Sequence, residues 1–404
     1  MREASWWPHA GVVLSAGPEA GPGAGRHMRR DGHMGRGRAW RPRQGEGARL
    51  LRCAAVLPNE KGDLVVTTDE EKARLARQIR GTNINSTHIP AHYREHYLNQ
   101  VTVEHRACTT RHGELPYDLI NAAGTTRDGP ADGAAAAAES AAGPRKSAGG
   151  PSESTAGRHE SGADRYESTA SPCKPVIVNM HGGGFVKGHQ EQDTVISAWL
   201  AVETGCPVLD LDYALAPEHP YPVGLEQCID LVGQVLETSE AILVGHSAGA
   251  NFALGIVIDA LAKGGAVPLA VVADYPPVDN ETDPGEKPGI VTDVIPLDRM
   301  RAFNELYFTE STNRGEVLCS PINAENEQLS GFPPTLIITA QQDPLMQEGE
   351  QMALKLAQAG NEVTMRRFLH ARHGFVTYFV GDEWPAAHEL IIRFLRGILG
   401  RSAE

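Results

Sequence analysis

From residue 175 onward, short apolar runs alternate with longer stretches of helical spacing. The runs at 175–180, 207–211, 241–244, 269–274, 335–339 and 362–369 predict strands. The run Ala241-Ile242-Leu243-Val244 has no polar position at all, as a strand buried on both faces requires. Between the runs, 190–203, 223–236, 252–261, 346–358 and 386–399 predict helices. Strands and helices that alternate this closely fold as βαβ units. The pattern therefore predicts an α/β chain with a mostly parallel central sheet and helices on both faces.

Upstream, 69–79 is a charged helical pattern, 88–97 is rich in aromatics and histidine, and 100–107 with 114–122 alternate as a β-hairpin that starts the sheet. The stretch 276–313 breaks the rhythm with Pro276-Pro277, several acids and an aromatic helix-like segment at 297–308. Insertions at the C-terminal ends of parallel strands build binding pockets, which is the role expected of this one. Two segments are too biased in composition to pack. Residues 1–50 are dominated by Arg, Gly and Pro, so an extension to about residue 60 is expected to be disordered, and internal Met28 and Met34 leave the native start open. Residues 123–171 are mostly Gly, Ala, Ser, Pro and Glu, with five alanines at 134–138, and are expected to form a solvated insertion between two strands. The rest, 65–404, reads as one domain.

The formal net charge of −14 argues against nucleic acid or an anionic membrane as partner. No stretch of about 20 residues is free of polar groups, so no membrane-spanning helix is expected. Six cysteines, at 53, 108, 173, 206, 228 and 319, show neither C-x-x-C pairs nor the density of a disulfide scaffold. They read as free thiols, and a cytoplasmic location is expected.

Chemistry enters at Gly245-His246-Ser247-Ala248-Gly249. In a chain with 43 glycines a G-x-S-x-G pentapeptide has little weight alone, but this one lies between a predicted strand and a predicted helix. That context makes a nucleophile elbow, with glycines permitting close backbone approach and Ser247 Oγ exposed above the sheet at a helix N-terminus. Straight after another strand stands His181-Gly182-Gly183-Gly184-Phe185, whose amides can turn toward a ligand. With no G-K-[ST] or G-x-G-x-x-G nearby, an oxyanion hole from Gly183, Gly184 and Ala248 is preferred to a phosphate cradle. A base and its orienting acid should follow the serine in the order acid, then His. Asp343 and His373 each stand just past a predicted strand, on the same sheet edge as the elbow. The rivals fit less well: His370 falls near the end of its strand and Asp382 breaks the order. His181 is expected to orient the glycine loop and Glu218 to be structural. Phe185, Trp199, Tyr307 and Phe308 suggest a pocket walled by aromatics, while for Tyr307, Phe308 and His219 core or cap packing is the preferred reading.

Taken together, His181-Gly182-Gly183-Gly184-Phe185, the run Asp212-Tyr213-Ala214-Leu215-Ala216-Pro217-Glu218, Gly245-His246-Ser247-Ala248-Gly249, Asp343-Pro344-Leu345 and His373-Gly374-Phe375 resemble the hormone-sensitive-lipase family of α/β-hydrolases. The resemblance implies an α/β-hydrolase fold with a small helical cap, contributed here by 65–98 and 284–313. It also implies hydrolysis of carboxylic esters, mostly short-chain, without metal or cofactor, through Ser247, His373 and Asp343. A small acyl ester is then the expected partner, and a homodimer is left open. An amidase or acyltransferase would use the same triad. A ligand-binding receptor of this fold typically loses the base, which this chain keeps. Two departures from the family pattern stand out: His246, where members often carry Asp, and the 123–171 insertion.

Overall fold

The computed structural model describes residues 68–82, 88–124, 174–288, 292 and 294–402. The expected extension at 1–60, residues 125–171 of the expected insertion, Met28, Met34, Cys53 and Cys173 lie outside the described residues.

In chain order the elements are α1 (Asp69–Arg80), α2 (Ala91–Leu98), β1 (Val101–Thr110), β2 (Gly113–Ala122), β3 (Val176–Met180), α3 (Glu191–Thr204), β4 (Val208–Leu211), α4 (Val223–Thr238), β5 (Ala241–His246), α5 (Ala248–Lys263), β6 (Ala270–Asp274) and α6 (Leu297–Tyr307). A 3₁₀ turn (Pro321–Asn323) follows, then α7 (Asn326–Leu329), β7 (Thr335–Gln342), α8 (Met346–Gln358), β8 (Val363–Arg372), α9 (Phe375–Tyr378) and α10 (Trp384–Ser402). The strands form one sheet in the order β1-β2-β4-β3-β5-β6-β7-β8. The hairpin β1–β2 and the pair β2–β4 are antiparallel, and every later pairing is parallel.

Alternation within the strands divides the core in two. Ala241 and Leu243 face one cluster, built with α4, α5 and α8, while Ile242 and Val244 face the other, built with α3 and α10. Parallel strands connected by right-handed crossovers need helices on both faces, and a strand buried on both faces keeps a polar residue only where it is paired, as Asn179 of β3 is with Asp210 of β4 at 3.0 Å. That is why the apolar runs were nearly continuous. Cys108, Cys206, Cys228 and Cys319 are free and buried.

Helix α1 starts at a capping box: the Glu71 amide donates to Thr68 Oγ1 and the Thr68 amide to Glu71 Oε2. Three acids in its first turn oppose the helix dipole, and Leu75, Ala76 and Ile79 form its buried face. That face leaves the charged side to solvent, and the helix meets α6 above the sheet. Helix α2 behaves differently. It packs on α3, with Tyr97 in the second core cluster and Tyr93 against Phe379, Trp384 and His388. Of the described residues within 65–98, those of α1 therefore adjoin α6, and those of α2 belong to the layer under the sheet.

Strands β7 and β8 run past their apolar patterns, to Gln342 and Arg372. A register irregularity between Ala340 and Gln342 lets the last pair, Gln342 with Arg372, form beyond it. The apolar pattern could not foretell this extension, because Gln341, Gln342, His370 and Arg372 are polar and half-buried or exposed, and only Ala340 and Ala371 among the added residues are buried and apolar.

Candidate active site

Ser247 sits between β5 and α5 with φ 53° and ψ −113°, a conformation that non-glycine residues avoid. Its neighbours impose it. A Cβ on Gly249 would lie 2.0 Å from Met180 O, and one on Gly245 would lie 2.3 Å from Gly249 O, so strand and helix approach as closely as glycine allows. The Ser247 amide donates to Asp274 O at 2.9 Å, tying the turn to the end of β6.

The pairing of Gln342 with Arg372 brings the next residue of each strand, Asp343 and His373, side by side. His373 Nδ1–H donates to Asp343 Oδ2 at 2.8 Å, and Ser247 Oγ–H donates to His373 Nε2 at 3.0 Å. The second Asp343 oxygen accepts the Leu345 amide at 2.9 Å. Asp343 is 2% exposed and His373 is 4% exposed. An ionised carboxylate only accepts, which fixes the proton on Nδ1 and leaves the Nε2 lone pair for the serine hydroxyl. The rivals lie elsewhere: His370 is exposed within β8 and Asp382 is exposed in the turn before α10.

The glycine loop after β3 lies beside this row. Gly183 has φ 133° and Gly184 φ 60°. A Cβ on Gly183 would meet Lys187 O at 2.4 Å, and one on Gly184 would meet the Phe303 ring at 2.5 Å. The amides of Gly183, Gly184 and Ala248 bond to no protein acceptor among the described residues. His181 donates from Nδ1 to Gly182 O at 2.7 Å and stacks on Tyr213, whose hydroxyl donates to His181 O. Glu218 pairs with Arg80 at the end of α1. His219 is exposed.

A cavity of about 80 Å³ opens at Ser247 and His373, between the glycine loop and the cap segment. Its apolar wall comes from Phe185, Tyr275, Ile295, Met300 and Phe303. The expected aromatic wall needs correction. Phe185 lines the cavity, but Trp199 stacks on His388 in the second core cluster, and Tyr307 and Phe308 are buried in the first. Trp199 is on α3, which packs against α2, α10 and the sheet, and Tyr307 stacks behind Phe185 at 4.0 Å, one layer away from the space. Residue type alone did not separate these positions.

Of the apolar wall residues, Tyr275, Ile295, Met300 and Phe303 had not been singled out. Phe303 projects from α6 onto Gly184. Tyr275, the first residue after β6, has φ 41°, lies 4.8 Å from the His373 ring and bonds Thr377 through its hydroxyl. Burial pushes its phenol well above the usual range, so it stays neutral. Its place just past a strand end, the same signal that marked Asp343 and His373, pointed to it. His246 is buried and donates from Nδ1 to Asp274 Oδ2 at 2.8 Å, so the carboxylate at this spot comes from β6. Below the glycine loop, His189 bonds Asp210 at 2.8 Å. Burial alone would push its imidazolium down, but Asp210, helped by Asp193 and Asp212, lifts its pKa to about 9. Lys187 is pushed down to about 8 by burial and by the charge of Arg299. Among the described residues no three His, Cys, Asp or Glu side chains gather as a metal site, and no helix is long and apolar enough to cross a membrane.

A family model described as alpha/beta hydrolase fold matches residues 177–377. The vegetative-specific protein H5 of Dictyostelium discoideum is 32% identical over 244 residues, spanning 56% of this chain and 71% of that protein. The esterase LipI of Mycobacterium tuberculosis is 30% identical over 231 residues, spanning 55% and 71%. A crystal structure of the Pyrobaculum calidifontis esterase superposes with a TM-score of 0.60 at 25% identity, over 82% of this chain and 94% of that one.

Proposed function

Because this chain belongs to the hormone-sensitive-lipase family of α/β-hydrolases, we propose that it is a serine carboxylester hydrolase of short-chain acyl esters, working through Ser247, His373 and Asp343. The observation that carries the reading is the continuous row from buried Asp343 Oδ2 through buried His373 to half-buried Ser247 Oγ, with contacts of 2.8 and 3.0 Å, opening on the cavity. In this reading His373 Nε2 takes the serine proton as Oγ attacks the ester carbonyl carbon. The carbonyl oxygen becomes an anion held by the amides of Gly183, Gly184 and Ala248, each donor contributing about 10²–10³ in rate. Collapse of the intermediate breaks the bond to the alkoxy oxygen, which leaves with the proton from His373. Water then attacks the acyl-enzyme by the same route and frees the acid.

Short acyl chains suit a cavity of about 80 Å³ with an apolar wall closed by Phe303. A cytoplasmic location goes with this reading, as does a small acyl ester as substrate. The test is turnover of 4-nitrophenyl esters from acetate to laurate, with mass spectrometry of the quenched enzyme for a Ser247-bound acyl group. Highest kcat/KM at two to six carbons and an acyl adduct absent from Ser247→Ala are expected. Faster laurate turnover would refute the chain-length assignment, and full activity in Ser247→Ala would refute the nucleophile.

A further inference from the structure

The residues that form the oxyanion loop do not hold themselves in place. Gly183 and Gly184 adopt conformations with positive φ, and within the loop the Val186 and Lys187 amides bond Gly183 O and His181 Nδ1 bonds Gly182 O, none of them fixing the Gly183 or Gly184 amide. Glycines in such conformations are entropically costly to fix, so something outside the loop must fix them. Three elements do. From the 212–219 segment, the Ala216 amide donates to Phe185 O and the Tyr213 hydroxyl to His181 O. From α6, Phe303 lies against Gly184. The third is α1, more than 100 residues earlier in the chain.

Arg80 is the last residue of α1 and points away from it. Its Nε donates to Val186 O at 2.9 Å, inside the loop. One of its terminal nitrogens donates to Ala216 O at 2.9 Å, and the guanidinium is completed by Glu218. One planar fork therefore bridges the two strands of chain joined by the bond from Ala216 to Phe185, a task that needs fixed divergent donors. The loop answers in kind: Lys187 Nζ donates to Thr82 O at 3.0 Å, just past the end of α1. Arg299 of α6 donates to Thr82 Oγ1, Thr82 O and Ile79 O, so the cap helices are tied to each other at the same corner. The bonds of Lys187 and Arg299 satisfy carbonyls at a helix C-terminus and have a sufficient explanation as caps. Those of Arg80 do not, because their acceptors belong to the loop and to its neighbour.

We propose that Arg80 is a positioning residue for the oxyanion loop, so that the N-terminal cap helix is part of what holds the Gly183 and Gly184 amides on the developing anion. The proposal rests on the oxyanion assignment made above. Its consequence is directional. A loosened loop still admits the ester, but the amides miss the oxygen only where charge has formed. Rate falls while ground-state binding does not.

The experiment compares the full-length chain with Arg80→Met and Arg80→Lys at a temperature where circular dichroism shows all three folded. Two quantities are read: kcat and KM for 4-nitrophenyl butyrate, and the inhibition constant of butane-1-boronic acid, which forms a tetrahedral anionic adduct on a serine. For Arg80→Met, kcat should fall roughly 10- to 100-fold with KM within about twofold, and boronate affinity should weaken in parallel. Arg80→Lys, unable to span both carbonyls, should restore little. If Arg80→Met does not fold, Glu218→Gln, which releases the guanidinium from its carboxylate at an exposed site, is read instead and is expected to show the same split at smaller magnitude. A variant with a lower melting temperature but wild-type kcat and boronate affinity would overturn the proposal, leaving Arg80 as a fastening of the cap. An equal rise in KM with unchanged kcat would overturn it as well. Failure of the underlying reading looks different: the wild type itself would then neither bind the boronate nor hydrolyse the ester.

Discussion

Replacing Asp343 by Asn changes one atom and should nearly abolish turnover. Asp343 uses both oxygens, one on the Leu345 amide at 2.9 Å and one on His373 Nδ1–H at 2.8 Å. An asparagine there has only one acceptor, and the buried Leu345 N–H would lose its partner if that acceptor turned away. The side-chain NH₂ is thus directed at His373 Nδ1. Two donors cannot face each other, so the imidazole moves its proton to Nε2, which then points a donor at Ser247 Oγ across 3.0 Å. The base is lost while all three side chains stay in place. A wrong tautomer of this kind costs about 10⁴ in kcat, or about 5 kcal/mol of transition-state stabilisation. KM should change little, because the cavity wall is untouched. The assay is steady-state hydrolysis of 4-nitrophenyl butyrate, with Ser247→Ala as the floor and urea unfolding to show that Asp343→Asn retains its fold. A folded Asp343→Asn enzyme with more than a tenth of wild-type kcat would refute the reasoning, and would mean that His373 is oriented by something other than this carboxylate.

Excision of residues 125–170 should leave ester turnover within about twofold of wild type. Ile120 and Ile177 both pair with Val208 of the intervening strand, so the chain ends lie about 10 Å apart, two strand spacings, and the seven residues left between Ala122 and Val176 reach that far. A folded deletion variant that loses most of its activity would instead assign the segment a part in the site. Gly249→Ala should destabilise the fold by at least about 2 kcal/mol, since its methyl would lie 2.0 Å from Met180 O and 2.7 Å from His181 O; an unchanged urea midpoint would contradict the close approach. His189 predicts a pH dependence of stability. With its pKa lifted from 6.5 to about 9 in the fold, its contribution is complete below pH 6.5 and is lost as pH rises through 9, at most about 3 kcal/mol in all. Lys187, pushed down to about 8, acts with the opposite sign above pH 8, so the clean window is pH 6.5 to 8, where His189→Gln should flatten the slope.

The parallel part of the sheet was legible because burial on both faces leaves few polar positions, among them Asn179 and Asp210, which pair with each other. Val176–Met180 and Ala241–His246 are buried throughout, and their apolar runs sufficed to find them. Where a strand end or helix start is set by something other than burial, the pattern stopped short. Strands β7 and β8 continue for three residues beyond their expected ends because each pairs with the other, a property of neither sequence alone. Helix α5 begins at Ala248, four residues before its expected start, because the tight turn at Ser247 delivers the chain straight into helical geometry.

The same distinction governs the site. The proposed triad, Ser247, Asp343 and His373, was legible because each residue follows a strand, and parallel strands bring their C-terminal ends to one edge whatever the loops between them do. Phe303 and Arg80 follow no such rule. Phe303 lies against Gly184 only because α6 crosses the glycine loop, and Arg80 reaches Val186 O and Ala216 O only because α1 ends there. Both contacts join segments more than 100 residues apart, and no periodicity carries information over that distance. The wall expected from Trp199, Tyr307 and Phe308 failed for the complementary reason: an aromatic residue satisfies a core as well as it satisfies a pocket. Sequence pattern thus reports the groups that the sheet itself positions. If the glycine loop is the proposed oxyanion hole, Arg80 and Phe303 of the cap join the 212–219 segment in holding it, and substitutions at these two positions should tune rate and chain length without touching the three residues at the strand ends.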